Sequence, residues 1–217
     1  MNAPKKSHEE FHDILGSVER YYDEKLRKYG PTPRGVDWNS TESQVLRFEQ
    51  LLMICDTTKE FSINDYGCGY GALYHYLREK KFVFHYRGFD ISAEMISQAK
   101  LLSQGINGCE FFSDKSRLST ADYTIASGIF NVKLEASDEE WHDYLEATLG
   151  VLDQTSRHGF AFNCLTSYSD ADKMRDHLYY ADPCTLFDLC KGRFSRHIAL
   201  LHDYGLYEFT ILVRKKP

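Results

Sequence analysis

The stretch Ile63-Asn64-Asp65-Tyr66-Gly67-Cys68-Gly69-Tyr70-Gly71-Ala72-Leu73 decides how this chain is read. Its approach, Phe61 to Tyr66, reads as a strand. Gly67, Gly69 and Gly71 turn the chain, and Tyr70 to about Lys80 reads as a helix. Glycine has no side chain and takes positive φ. Alternate glycines therefore let the backbone pass close to a ligand at the mouth of a βαβ unit. A second strand, Phe84 to Phe89, ends in Asp90. A carboxylate at that strand tip is placed to accept hydrogen bonds from ribose hydroxyls. Strand, glycine loop, helix, strand and acid, in this order, outline a site for an adenosine-bearing ligand.

Two cofactor classes use such a layout. In dinucleotide dehydrogenases the loop and the following helix N-terminus meet a pyrophosphate. Gly67, Gly69 and Ala72 satisfy G-x-G-x-x-A, so the pattern alone leaves that class open. The stretch also resembles the glycine loop of class I S-adenosylmethionine (SAM)-dependent methyltransferases, D-x-G-x-G-x-G, with Asp65 two residues before Gly67. A carboxylate beside the loop suits a cofactor that carries an ammonium and a sulfonium, and repels a pyrophosphate. The resemblance implies cofactor contacts at Asp65, Gly67, Cys68, Gly69, Asp90 and Ile91.

The chain has 217 residues and a formal net charge of -6. That length suffices for one α/β unit with a sizeable core. No basic stripe marks a nucleic-acid partner, and no apolar run approaches a membrane span. Met1 to His12 lacks the apolar core of a secretory signal. The six cysteines show no CxxC pair, so free thiols in a reducing cytoplasm are expected. Of the fifteen tyrosines and fourteen phenylalanines, most are expected in the core and some to line a pocket for a flat or apolar substrate.

Glu9 to Lys28 has the spacing of one or two amphipathic helices, with Leu15, Val18 and Tyr22 among the apolar positions. His8-Glu9-Glu10-Phe11-His12 spells H-E-x-x-H, but a zinc site needs a third ligand and a cleft, so the match is read as chance and no metal is expected. Tyr29 to Ser40, with two prolines and two glycines, reads as an irregular loop. Asn39 or Ser40 caps a helix over Thr41 to Cys55. Gln44 and Arg47 on its polar side either bind the cofactor carboxylate or form a solvated face. Trp38 is either a pocket wall for substrate or a core plug.

Beyond Asp90, Ser92 caps a helix over Ala93 to Gln104, and a third strand covers Gly108 to Phe112. Asp114 either accepts from the adenine amine, as the resemblance implies, or caps a turn. A fourth strand, Ala121 to Ser127, leads into Gly128-Ile129-Phe130-Asn131. In the family this loop lies beside the transferable methyl. Ser127 and Gly128 are then cofactor contacts, and Phe130 and Asn131 face the substrate. Ser137 opens a helix to about Leu152, and a fifth strand covers Gly159 to Leu165. Residues 166–192 either cover the substrate or form a helical crossover. Phe194 to His202 and Leu206 to Arg214 read as a hairpin closed by a tight Asp203-Tyr204-Gly205 turn, which puts one antiparallel strand in a parallel sheet.

From Phe61 to Arg214 the resemblance implies a seven-stranded, doubly wound α/β sheet of order 3-2-1-4-5-7-6, with helices on both faces. A helical cap over residues 1–60 completes a single methyltransferase domain, and residues 166–192 form its substrate-side insertion. The Gly35-Val36-Asp37-Trp38 and His202-to-Glu208 stretches resemble bacterial members without an assigned substrate. The expected reaction is in-line methyl transfer from SAM to a small molecule, leaving S-adenosylhomocysteine (SAH). The alternatives are an NAD(P)-linked oxidoreductase and a SAM/SAH-binding protein without catalysis. A general base would be His202 first, then His177 or Tyr180, with Tyr204 near the substrate.

Overall fold

The computed structural model describes residues 11–215. Its centre is β1 (Phe61–Tyr66), paired in parallel with β2 (Phe84–Phe89) on one side and β4 (Ala121–Ala126) on the other. Next to β2 lies β3 (Cys109–Phe112), and next to β4 lies β5 (Ser156–Thr166). Two later strands, β7 (His197–Leu201) and β8 (Glu208–Arg214), extend the sheet past β5, and β8 runs antiparallel to both its neighbours. The path β3-β2-β1-β4-β5-β8-β7 is the order the sequence implied. One strand had been missed. The two-residue β6 (Tyr180–Ala181) pairs with Leu165 and Thr166 at the end of β5, so the sheet has eight strands.

Strand alternation sorts the side chains onto two faces. Ile63, Ile125, Ala161 and Leu212 point to one face. There they meet α2 (Thr41–Leu52), α3 (Ala72–Glu79) and α4 (Ala93–Leu102). Phe160, Phe162, Ile211 and Val213 point to the other, against α5 (Asp138–Gln154) and α6 (Pro183–Arg193). Three caps read from the sequence are present. The hydroxyls of Ser40, Ser92 and Ser137 accept from the backbone N–H groups of Ser43, Met95 and Glu140.

Several boundaries differ from the sequence reading. α3 begins at Ala72, because Gly71 holds φ +85 and cannot belong to a right-handed helix. The final hairpin closes through residues 202–207, a longer loop than the expected turn. Much of 166–192 is no surface cover. α6 buries Leu186 and Cys190 in the core, which makes it the crossover into β7.

The first helix, α1 (His12–Tyr29), is placed by what the sheet lacks. β3 and β4 are joined by residues 113–120, with only a short 3-10 turn at Lys115–Arg117. A parallel crossover normally takes a dozen or more residues and a helix. Phe11 and Val18 instead join Tyr66, Phe89 and Phe112 in one buried cluster, while Leu26 packs with Tyr70 and Met95. α1 therefore spans the carboxyl ends of the strands. Polar latches fix it there. The Tyr21 hydroxyl (2.6 Å) and the Lys25 ammonium (2.5 Å) both reach the Asp37 carboxylate. Ser92 donates to Asp23, and Arg27 pairs with Glu94.

Candidate active site

Beneath α1, at the carboxyl ends of β1, β2 and β4, the chain forms a cleft. The ends of parallel strands are where α/β sheets bind ligands. Gly67 and Gly69 hold φ +84 and +52, so the loop turns without clash. The backbone N–H groups of Gly67 and Cys68 donate to the Phe89 carbonyl at 2.7 and 3.0 Å, which ties the loop to the end of β2. Asp90 closes the same turn. One carboxylate oxygen accepts from Gly69 N–H (2.8 Å) and the other from Ser92 N–H (2.9 Å). Each oxygen keeps a lone pair for a ligand hydroxyl. Burial pushes the Asp90 carboxyl up to about 6, and its two backbone bonds oppose part of that rise. Asp65 sits deeper. Burial raises it to about 7, against the pull of the Tyr86 hydroxyl donated at 2.6 Å. Both groups thus answer to charge: a bound cation favours their ionised form.

The opposite wall comes from the end of β4 and from the segment before α2. Ser127, Gly128 and Ile129 line it together with Trp38 and Gln44. Gly128 is required by contact as well as by its φ of +77: a Cβ there would stand 2.3 Å from the Trp38 ring. The Gln44 amide oxygen accepts from the Tyr70 hydroxyl at 3.1 Å, which leaves its NH2 as the remaining donor group. The Ser127 hydroxyl is buried in this wall without a hydrogen-bond partner. Behind the wall, Arg47 donates to Glu208 at 2.6 to 3.0 Å and carries Trp38 on its guanidinium face, 3.8 Å away. Glu208 also accepts from the Asn163 amide (2.7 Å), whose oxygen accepts from Gly128 N–H (2.8 Å).

The cleft therefore gathers Asp65, Gly67, Cys68, Gly69, Asp90, Ile91, Ser127, Gly128, Gln44 and Trp38. Other expected site residues lie outside its lining. Arg47 is committed to Glu208. Asp114 is exposed and caps the 3-10 turn by accepting from Ser116 N–H. Phe130 is fully buried in the core and its carbonyl accepts from Trp141. Asn131 pins β5 through Leu165 N–H. Ile129, one residue earlier, is the side chain of this loop that faces the cleft. Tyr204 bonds Thr210 (3.1 Å), and Tyr180 accepts from Arg175 N–H. His177 is exposed beside Tyr21, and His202 is exposed with its ring near Tyr168 and Phe209. His202 does follow a strand at the carboxyl edge. However, β8 and β5 stand between β7 and β4, about 14 Å of sheet at the usual strand spacing. His202→Ala is therefore expected to leave both SAH affinity and turnover within twofold of wild type, measured by calorimetry and SAH release.

Among the residues that sequence reading did not bring to the cleft are Leu15, Val18, Glu19 and Tyr22 of α1. They recur at i, i+3, i+4 and i+7, one helix face. A glutamate inside that apolar stripe was the available signal. Of the H-E-x-x-H match, His8 to Glu10 lie outside the described residues. Among the described residues, no group of three or more His, Cys, Asp or Glu side chains could hold a metal, and no helix is long and apolar enough to cross a membrane.

No family model matches the chain. Among solved structures, a DhpI–SAH complex is similar over 95% of this chain and 98% of its own, with a TM-score of 0.66 at 15% identity. The N-methyltransferase NodS from Bradyrhizobium japonicum, in complex with SAH, is similar over 92% of this chain and 99% of its own, with a TM-score of 0.63 at 14% identity. These likenesses speak for the fold. In sequence, a Mycobacterium tuberculosis protein named "Putative methyltransferase Rv1506c" is 58% identical over 164 residues, 76% of this chain and 99% of that protein. With that identity and coverage added to the glycine loop, the Asp90 tip and the sheet order, the chain belongs to the class I SAM-dependent methyltransferase family.

Proposed function

We propose that the protein transfers a methyl group from SAM to a small-molecule acceptor bound in the cleft under α1. The carrying observation is the composition of that cleft. Asp90 with spare lone pairs, the unpartnered Ser127 hydroxyl and the Gln44 amide all face it, and every ionisable charge among its described lining residues is a carboxylate. This set fits SAM and is hostile to the pyrophosphate of a dinucleotide.

When bound, SAM supplies a methyl group already activated on a sulfonium. The chain's task is alignment and exclusion of water. Asp90 accepts from the ribose hydroxyls. Gly67 and Gly69 admit the ligand close to the backbone. Gln44 and Ser127 offer neutral polar contacts in the wall they share with Trp38. Tyr22, Tyr66 and Tyr144 surround the cleft with aromatic surface. In the segment from Thr166 to Ala181, the His177 ring lies 6.4 Å from Tyr21 of α1. Six free thiols and a net charge of -6 favour a reducing cytoplasm and no nucleic-acid partner.

Calorimetry and thermal shift with SAH and NADH test this reading. SAH is expected to bind and stabilise, and NADH is not; the reverse order would overturn it. Asp90→Ala is expected to weaken SAH by about 1.5–3 kcal/mol, the usual worth of a hydrogen bond to a charged group.

A pH effect follows from the same carboxylate. In the free protein Asp90 stands near 6, above its ordinary range. Ribose hydroxyls bind its ionised form, so the complex holds it lower. The Asp90 contribution to affinity is then level above about pH 7 and falls as pH drops through 6, by up to about tenfold per unit. Titrations at pH 5 and pH 8 measure this. Asp90→Asn is expected to reduce the slope near pH 6, and an unaltered slope there would remove Asp90 from the site.

A further inference from the structure

The charge of the cleft narrows its acceptor. Among the described residues its lining holds three carboxylates, Glu19, Asp65 and Asp90, and no lysine, arginine or histidine. Two of the three are committed. Asp65 takes the Tyr86 hydroxyl, and Asp90 takes the N–H groups of Gly69 and Ser92. Glu19 makes no hydrogen bond or ion pair among the described residues, although it is half-buried on the inner face of α1 between Val18 and Tyr22. An unpaired carboxylate held partly out of water costs free energy unless a ligand answers it. It stands on α1 above the cleft, close enough to Asp90 to help raise that carboxyl.

We infer that the acceptor is an amine, held with its nitrogen facing Glu19. This rests on the methyl-transfer reading above and makes it specific. The neutral amine gives its lone pair to the methyl carbon. A nitrogen–carbon bond forms as the carbon–sulfur bond breaks, and the bonding pair stays on sulfur, giving neutral SAH. Positive charge grows on nitrogen as this happens. A carboxylate fixed opposite stabilises that charge where it develops, and the nitrogen's proton leaves to Glu19 and then to water. The rings of Tyr22 and Tyr144 suit a cation as well, through their negative faces. A carboxylate or phosphate acceptor would meet like charges and no lysine, arginine or histidine in the lining itself; Lys115 stands 5.9 Å from the centre of the Tyr66 ring.

Two binding measurements test this without knowledge of the natural acceptor. Sinefungin is a SAM analogue with an ammonium-bearing carbon in place of the sulfonium methyl, so its ammonium points where the acceptor nitrogen must sit. Glu19→Gln is expected to weaken sinefungin by roughly tenfold or more, as for loss of a charge-assisted contact, while SAH changes less than twofold. Equal loss for both ligands would make Glu19 a cofactor residue, and no loss for either would turn it away from the methyl. Both results overturn the inference. In the second measurement, benzylammonium and benzoate, alike in shape and opposite in charge, are titrated into the SAH complex. The ammonium is expected to bind more tightly in the wild type, and Glu19→Lys is expected to reverse the order. Equal binding, or tighter benzoate, overturns the amine assignment. A wild-type protein that binds neither SAH nor sinefungin would instead sink the methyl-transfer reading itself.

Discussion

Glu208→Ala is expected to destabilise the protein by about 3–5 kcal/mol, the cost of leaving one partner of a buried ion pair uncompensated. Glu208 is 1% exposed and Arg47 8%. The guanidinium meets both carboxylate oxygens, at 2.6 to 3.0 Å. Without Glu208 it keeps only the Ser43 carbonyl (2.8 Å) and the Trp38 ring. At this chain length the loss corresponds to roughly 6–20 °C in melting temperature. Exposed pairs such as Arg27–Glu94 should cost at most about 1 kcal/mol when broken. The double variant Arg47→Met with Glu208→Leu is expected to recover most of the stability, because no charge is then left buried. A single-variant loss below about 1 kcal/mol by urea denaturation would show that water reaches the guanidinium. The effect should extend to the cleft. Asn163 loses a partner, and Asn163 holds the Gly128 N–H against which Trp38 is packed.

The second large effect is expected at the loop. Gly69→Val should weaken SAH by at least about a hundredfold, or about 2.7 kcal/mol, while the far-UV dichroism stays native. Gly69 holds φ +52, a region that β-branched residues avoid. A Cβ there would stand 3.1 Å from Val36, on the cleft side of the loop. The Gly69 N–H also fixes Asp90. The variant thus disturbs both the approach of the ligand and the carboxylate that receives it. Gly205→Ala is the control: its φ is +73, but nothing lies within 4 Å of the added carbon. Its strain should leave SAH affinity untouched. Tight SAH binding by the Gly69 variant would mean that the loop does not face the cofactor.

What the sequence reveals and conceals follows from the range of each interaction. The strand at Phe61–Tyr66, the glycine turns, Asp90 and the serine caps are set by neighbours a few residues apart, and each was legible. The sheet order came from the family resemblance, to which the two consecutive strands ending the series of βα units contributed. Arg47 and Glu208 are separated by 161 positions, and no local pattern joins them. Nothing in α1 says which surface its apolar stripe will meet. That is decided by the short β3–β4 connection, which reads as an ordinary loop until the sheet is known. Phe130 and Ile129 could not be told apart from sequence, since one step along a turn decides which side chain is buried. His202 was placed at the right edge of the sheet but too far across it, because strand order carries distance that spacing in the chain does not.

The short β3–β4 connection also has a consequence for the order in which the chain is made. A ribosome releases α1 before any strand it rests on. Its partners Met95 and Phe112 emerge about seventy to a hundred residues later, and Tyr144 later still. An isolated helix of this length is marginal in water. Until those partners arrive its apolar stripe has no seat, and the sheet edge built meanwhile has no cover on that side. A helix synthesised before every strand of the sheet is therefore among the last elements to be seated, and the nascent chain acquires the roof of its cleft only after most of the sheet has left the ribosome.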